Sequence, residues 1–217
     1  MKVYHIPQRC EQWHALRCGK LTGSGAQAVI QERKRGTGEL AKRSELRQRL
    51  VVERLTGVAA NDLPYLPKDM QHGVDTEPLA VAAYEAERGE LVTRVGFVEH
   101  DTLMAGCSPD GCVGNWDGAI EVKCPASATH WDYLKGNTIP EEYYGQLLHT
   151  LWITGAPWVD FVSYDPRFLD ESKRLFIQRL KRNDELLTAY GLAVSLFLSE
   201  VDKEVEALNA PEAAHAV

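Results

Sequence analysis

The sequence reads Cys-Ser-Pro-Asp-Gly at residues 107–111 and Ala-Ile-Glu-Val-Lys-Cys-Pro at residues 119–125. Side chains of a β-strand alternate between the two faces of a sheet, so Glu121 and Lys123 are predicted to share one face. Asp110 ends the preceding predicted strand and can reach the same face. Two carboxylates and an ammonium would then converge, and carboxylate oxygens are the ligands that Mg²⁺ takes in proteins. The two stretches therefore predict a metal site carried by strands.

The sequence around this pattern decides how much weight it has. An Asp followed by Glu-x-Lys occurs by chance in many chains, where it is usually a turn and a surface strand. Here apolar Ile120 and Val122 flank Glu121, and the apolar stretch 103–107 precedes Asp110. Charged groups on such strands are costly to bury unless they are paired or bind a metal. The context favours a functional site.

Hydrophobic periodicity predicts the elements around these strands. Helices are predicted at about 10–17, 22–32, 37–56, 68–88, 127–135, 140–154 and 182–207, and strands at about 91–99, 103–108, 118–124, 157–163 and 173–180. A central mixed β-sheet with helices on both faces fits this order.

Several blocks of the sequence, taken in order, resemble the phage lambda-type 5′→3′ exonucleases, also called YqaJ-like viral recombinases, of the PD-(D/E)xK nuclease superfamily. The blocks are Trp13–Ser24, Gly73–Glu77, Cys107–Gly111, Glu121–Pro125, Tyr143–Gln146 and Tyr164–Arg167. Together they are far more specific than any one of them. The resemblance implies an α/β fold with a restriction-endonuclease-like core, whose central mixed β-sheet is flanked by helices.

The resemblance also implies a fuller metal site. Glu77, on the predicted helix before the sheet, and the backbone carbonyl of Val122 would join Asp110 and Glu121 as ligands. A third carboxylate suits two Mg²⁺ ions, with Mn²⁺ as an expected substitute, as two-metal phosphodiester cleavage requires. Lys123 would orient the attacking water or help to deprotonate it.

Gln146 is predicted to share the polar face of its helix with Tyr143 and His149. Two interpretations of Gln146 stay open. It is either an exposed surface residue or a catalytic, water-positioning residue.

The DNA contacts come from the resemblance. They are Arg17, Ser24 and Thr22 at the terminal 5′-phosphate, Met70 as an apolar wedge at the duplex fork, and Arg33, Lys34 and Arg35 on the strand that is kept. The planar fork of Arg17 suits a phosphate, and Ser24 with backbone amides at a helix start suits an anion. Trp13 is expected to brace Arg17 by packing.

Length and composition limit the architecture and the compartment. The 217 residues predict a single nuclease domain over 1–217, with a core at about 10–182, a C-terminal helix at about 182–207 and a short tail. No apolar run approaches membrane-spanning length. Five cysteines, without a signal peptide, indicate reduced thiols in a cytoplasm. With the resemblance, this suggests a phage- or prophage-encoded protein in a bacterial host.

The net charge of −7 hides two segments of opposite sign. A basic segment carries Arg33, Lys34, Arg35, Lys42, Arg43, Arg47, Arg49 and Arg54, and the C-terminal stretch carries Glu200, Asp202, Glu204, Glu206 and Glu212. The basic segment is either part of a DNA groove or a charged helix face with interleaved glutamates. The sequence leaves both interpretations open.

These observations favour a Mg²⁺-dependent exonuclease that resects the 5′ strand of double-stranded DNA ends and leaves 3′ overhangs for annealing. The resemblance implies a single-strand annealing protein as partner and a ring-shaped homotrimer. A restriction-type, sequence-specific endonuclease is one alternative, because it uses the same catalytic triplet. A nuclease-like DNA-binding module without catalysis is another, although the intact set of Glu77, Asp110, Glu121 and Lys123 argues against it.

Overall fold

The computed structural model describes residues 1–31, 38–60 and 68–210, and the predicted α/β class with a central mixed sheet is confirmed. The strands are β1 (Lys2–Tyr4), β2 (Val92–Thr93), β3 (Phe97–Glu99), β4 (Gly106–Cys107), β5 (Gly111–Val113), β6 (Gly118–Lys123), β7 (Trp158–Tyr164) and β8 (Leu175–Lys181). The helices are α1 (Glu11–Arg17), α2 (Gly23–Ile30), α3 (Ala41–Thr56), α4 (Lys68–Arg88), α5 (Ser127–Gly136), α6 (Glu141–Thr154) and α7 (Asp184–Asn209). Within the described ranges, none of the helices has the length and apolar character needed to cross a membrane.

The main sheet has five strands in the order β2-β5-β6-β7-β8. Only the central pair, β6 and β7, is parallel, and the other pairs are antiparallel. Parallel neighbours need a crossover connection, which α5 and α6 provide here. Strand β6 therefore lies in the middle of the sheet, where almost all its side chains are buried.

The hydrophobic core covers both faces of this sheet. On one face, Ile120 and Val122 pack with Tyr84 of α4. On the other face, Phe161 belongs to the larger cluster that includes Leu147 of α6. Because side chains alternate along a strand, the odd-numbered residues of β6 point away from α4 and toward the side of α6.

The predicted strand over 91–99 is wrong as a single element. Its first part is β2 in the main sheet, and its second part is β3, which pairs with β1 and β4 in a separate three-stranded sheet. Gly96 lies between them, and a Cβ there would stand 2.3 Å from the carbonyl oxygen of Ile6 and 2.7 Å from that of Tyr4. The close approach of the N-terminal backbone redirects the chain at this point. Strands β1 and β5 were not predicted.

The described part of the basic segment lies on α3, against the acidic α7. Its ion pairs across the two helices include Arg43–Glu200, Arg47–Glu200, Arg47–Glu204 and Arg54–Asp202. These contacts favour the charged helix face over a DNA groove for the three arginines. Arg33, Lys34 and Arg35 lie outside the described residues, and so does the side chain of Met70.

Candidate active site

The three residues of the predicted catalytic triplet lie close together near the C-terminal end of β6. The Lys123 ammonium lies 2.5 Å from Oε1 of Glu121, so the two side chains do share a face. Asp110 enters β5, and its Oδ2 accepts a hydrogen bond of 2.7 Å from the backbone N–H of Val122. Asp110 is 9% exposed and Glu121 is 3% exposed. Two carboxylates are thus buried beside one ammonium.

The charges of these groups influence each other because they are shielded from water. Burial, followed by the charge of Glu121, raises the pKa of Asp110 to about 8. Burial opposes the charge on Lys123, but Glu121 and Asp110 outweigh it and raise the pKa of Lys123 above its ordinary value. Buried carboxylates that repel each other favour a cation between them.

The residues present fit a divalent metal ion. Oε2 of Glu121 is buried and has no hydrogen-bond partner within the described part of the chain, which is a costly state for a carboxylate oxygen. A hard cation takes such oxygens as ligands. Among the residues the structure describes, however, no three His, Cys, Asp or Glu side chains cluster closely enough to hold a metal together. The third carboxylate, Glu77, stands apart.

Glu77 lines the cavity beside the triplet but binds two arginines. The cavity has a volume of about 460 Å³, and its wall includes Glu77, Asp110, Lys123 and Arg9. One Glu77 oxygen accepts a hydrogen bond from Arg94, and the other lies 3.5 Å from Nη2 of Arg9. Helix α4 therefore brings Glu77 to the cavity that Asp110 and Lys123 also line, while its carboxylate is directed to the guanidinium groups.

Gln146 contacts the triplet directly. Its Nε2 donates to Oε1 of Glu121 at 2.5 Å, so the structure favours a functional position over an exposed one. His149, predicted on the same polar face, is instead fully buried and bonds to Tyr190 and to the carbonyl of Gly106. That part of the prediction is wrong, because α6 is covered on two sides.

Arg17 and Ser24, two of the three predicted 5′-phosphate residues, line a second, smaller cavity of about 140 Å³, and Thr22 contacts both of them. Arg17 donates to Oγ of Ser108 at 3.0 Å and to Oγ1 of Thr22 at 3.3 Å, and Thr22 is 3.3 Å from Oγ of Ser24. The Arg17 guanidinium lies 4.0 Å from the centre of the Trp13 ring, which braces it as expected. The four polar residues therefore meet in one place.

Among the described residues, Arg17 forms no ion pair with a carboxylate, although Asp110 and Glu121 also line this cavity. The side-chain hydrogen bonds recorded for Arg17 within the described ranges go to hydroxyl groups. Burial and the nearby charge of Arg49 lower the pKa of Arg17 to about 10, so the group is still charged at neutral pH. A buried guanidinium facing hydroxyls is suited to bind an anion.

Three polar residues of the site were missed in the sequence. Ser108 lies two positions before Asp110, and the period of an extended segment would have placed the two on the same side. Arg9 and Arg94 belong to no motif and to different loops. Only the folded chain brings them to Glu77, so no local signal could have identified them.

The structure and sequence are similar to known proteins. The chain matches an alkaline exonuclease, LHK-Exo, from Laribacter hongkongensis, with 38% identity, a TM-score of 0.82 and coverage of 92% of this chain and 96% of that chain. The complex of LHK-Exo with dAMP matches equally well. A phage related exonuclease from Haemophilus somnus 129PT shares the fold, with a TM-score of 0.69, 16% identity and coverage of 90% and 99%.

No curated protein shows significant similarity to the sequence. A YqaJ-like viral recombinase domain matches residues 12–157, which is more than half of the chain. The predicted restriction-endonuclease-like core is confirmed by the similarity to LHK-Exo. The chain belongs to the family of YqaJ-like viral recombinase domains.

Proposed function

We propose that this protein is a Mg²⁺-dependent 5′→3′ exonuclease that acts on the ends of linear double-stranded DNA and leaves 3′ single-stranded overhangs. The observation that carries the proposal is the position of Asp110, which lines both cavities. A pocket for a terminal phosphate thus adjoins the carboxylates that would hold the metal. Such an arrangement suits cleavage close to a chain end.

Asp110, Glu121 and the carbonyl of Val122 would hold the catalytic metal, and Glu77 would add a ligand for a second ion. When bound, Mg²⁺ or Mn²⁺ supplies polarisation of the scissile phosphate and offsets the charge that develops on it. Lys123 is a compact cation beside Glu121, which suits it to orient the attacking water.

Gln146 keeps the Glu121 carboxylate in place by donating to Oε1. With Oε1 also bonded to Lys123, it is Oε2 that is left without a partner in the described structure. Fixing a ligand through hydrogen bonds from its neighbours preserves the geometry of a metal site. We expect Gln146 to act in this way, as well as by contacting the substrate.

The second cavity would receive the 5′-phosphate of the strand to be degraded. Arg17 supplies the charge, and Ser24, Thr22 and Ser108 supply hydroxyl donors. A charge-assisted bond between guanidinium and phosphate is roughly twice as strong as a neutral hydrogen bond. LHK-Exo, the 38% identical relative, is an alkaline exonuclease with a structure in complex with dAMP, which supports mononucleotide products for this chain.

The family also supports a biological setting. We propose that the protein acts in phage or prophage recombination in the cytoplasm of a bacterial host. A single-strand annealing protein would take over the 3′ overhang, and a ring-shaped homotrimer would enclose the DNA. Size measurement in solution and co-purification with the annealing protein test these two expectations.

The decisive experiment uses a linear duplex that carries one labelled, phosphorylated 5′ end, with and without Mg²⁺. The expected result is release of labelled mononucleotide only when Mg²⁺ is present. A covalently closed plasmid should stay intact, whereas cutting of that plasmid would favour the endonuclease alternative. Tight DNA binding with no release of acid-soluble nucleotides in Mg²⁺ or Mn²⁺ would favour the non-catalytic module.

A further inference from the structure

Glu77 is held between two guanidinium groups, and both of its oxygens are engaged. Oε1 accepts from Nη1 of Arg94, and Oε2 lies 3.5 Å from Nη2 of Arg9. The Glu77 side chain is 18% exposed, whereas the two arginine side chains are 47% and 49% exposed. The Glu77 carboxylate is therefore the more buried part of this ion-pair cluster, and the two arginine side chains lie closer to solvent.

The two arginines reach Glu77 from different parts of the chain. Arg94 follows β2, and its Nη1 also lies 3.5 Å from the carbonyl oxygen of Asp110. Arg9 precedes α1 and has a φ of 68°, a left-handed conformation that is unfavourable for an arginine. Strained backbone of this kind is more common at functional sites than elsewhere. Here it places a guanidinium group on the wall of the larger cavity.

The arginines and a metal ion would compete for the same two oxygens of Glu77. A cation bound through Glu77 would compete for one oxygen that accepts from Arg94 and for another that forms an ion pair with Arg9. It would also place like charges near each other. Both effects lower the affinity for the cation. Glu121 differs from Glu77 because only its Oε1 contacts a cation, Lys123, while its Oε2 has no hydrogen-bond partner among the described residues. The Asp110 carboxylate accepts from the Val122 amide and has no guanidinium partner in the described part of the chain.

We propose that Arg9 and Arg94 form a latch on Glu77 that competes with a divalent cation and sets the concentration at which the Glu77 position is occupied. The inference rests on the proposed function, since it concerns the same metal site. It assigns to the two arginines a positioning role that acts through Glu77. Loss of either arginine frees one Glu77 oxygen, and loss of both leaves the carboxylate free for the cation.

The test is a titration of the protein with Mn²⁺ in the absence of DNA, measured by isothermal calorimetry. Arg9→Gln and Arg94→Gln should each tighten Mn²⁺ binding by about two- to five-fold, the range expected for loss of an exposed ion pair. Arg9→Gly serves as a second variant, because glycine accepts the left-handed backbone without strain. It should tighten binding to the same extent as Arg9→Gln.

A double-mutant cycle separates the latch from a general effect of charge. In a Glu77→Gln background, the arginine substitutions should change the Mn²⁺ affinity by less than about 1.5-fold. Arg88→Gln removes a positive charge three turns further along α4 and should leave Mn²⁺ binding unchanged. Equal tightening with and without Glu77, or no tightening in any arginine variant, overturns the latch. Absence of Mn²⁺ binding to the wild-type protein overturns the metal site of the proposed function, and the latch with it.

Discussion

Two regions of this molecule place arginines in opposite electrostatic environments. Where α3 contacts α7, Arg43 donates to both oxygens of Glu200, each at 2.8 Å, and these bonds raise the pKa of Arg43. In the small cavity, Arg17 donates to the hydroxyls of Ser108 and Thr22, and burial lowers its pKa. Arg43 contacts a carboxylate directly, whereas the side-chain hydrogen bonds of Arg17 within the described residues go to hydroxyl groups.

The comparison shows that the partners of an arginine, rather than its place in a basic stretch of sequence, indicate its role. An ion pair that the chain itself completes holds two helices together. A partly buried guanidinium with only neutral hydrogen-bond partners loses hydration without forming a direct ion pair. An anionic ligand bound to such a group would offset this loss of hydration.

The largest expected effect comes from removing the carboxylates that the Arg17 cavity adjoins. Asp110→Ala and Glu121→Ala should each lower the rate of nucleotide release in Mg²⁺ by at least ~10²–10³-fold, the usual cost of losing one electrostatic stabiliser. Binding of a 5′-phosphorylated duplex should be retained, because Arg17 is unchanged. Acid-soluble nucleotide release and a gel-shift titration measure the two properties. Activity above about a hundredth of wild type in either variant would contradict the assignment.

The second prediction concerns Arg17 itself. If its charge is kept for a 5′-phosphate, the wild-type protein should prefer phosphorylated to hydroxyl 5′ ends by about ten- to hundred-fold, which corresponds to roughly 1.5–3 kcal/mol. Arg17→Ala should remove most of this preference. Competition binding between two linear duplexes that differ only in the 5′ group gives the ratio directly.

Arg43→Gln is the matched control for this experiment. It removes the same guanidinium charge as the Arg17 variant, but from a residue that is paired with Glu200. It should leave the end preference at the wild-type value. If both variants lost the preference to the same extent, the distinction between the two regions would be wrong.

His149 is a third basic group to compare, because its described hydrogen-bond partners are all neutral and no predicted anion site adjoins it. His149 is fully buried, its Nε2 donates to the Gly106 carbonyl at 3.0 Å, and its Nδ1 accepts from the Tyr190 hydroxyl at 2.6 Å. This assignment follows because a carbonyl can only accept. Burial lowers the pKa of His149 to about 4, so the ring stays neutral near neutral pH.

The stability of the protein should therefore fall as pH falls from about 6.5 to about 4. In this window the unfolded chain protonates the histidine and the folded chain does not, so acid favours unfolding. The shift corresponds to about 2 kcal/mol lost between pH 7.5 and 5.0. Urea denaturation at both values should show a smaller loss for His149→Gln, which cannot titrate. Equal losses in the two proteins would refute a buried, neutral histidine.

Local patterns were enough to predict the triplet but not the ion pairs. Glu121 and Lys123 share a face because strand periodicity is a local property, and the fold class follows from the same kind of pattern. Arg43 and Glu200 are 157 residues apart, and no periodicity indicates which helix will lie opposite another. The division of 91–99 into two strands has the same origin, since it depends on the distant backbone of Tyr4 and Ile6 at Gly96.

The resemblance supplied what local patterns could not. It predicted that Arg17, Thr22 and Ser24 lie close together, and in the structure Thr22 contacts both Arg17 and Ser24. It also predicted Glu77 as a metal ligand, and the structure shows Arg9 and Arg94 as its ion-pair partners. Arg9 and Arg94 lie outside the blocks of sequence that carry the resemblance, so the resemblance did not predict them.

The smallest expected effect is on the α3–α7 contact. Arg43→Gln and Glu200→Gln should each lower the free energy of unfolding by about 1 kcal/mol or less, because partly exposed ion pairs contribute little. The loss should shrink further at high salt, where charges near the surface are screened. Urea denaturation at about 0.05 M and 0.5 M NaCl measures both effects, and a double-mutant cycle gives the coupling between the two residues. Nucleotide release should stay at the wild-type rate in both variants. A loss of several kcal/mol, or a loss of activity, would mean that α3 supports the active site and that the two arginine regions are not independent.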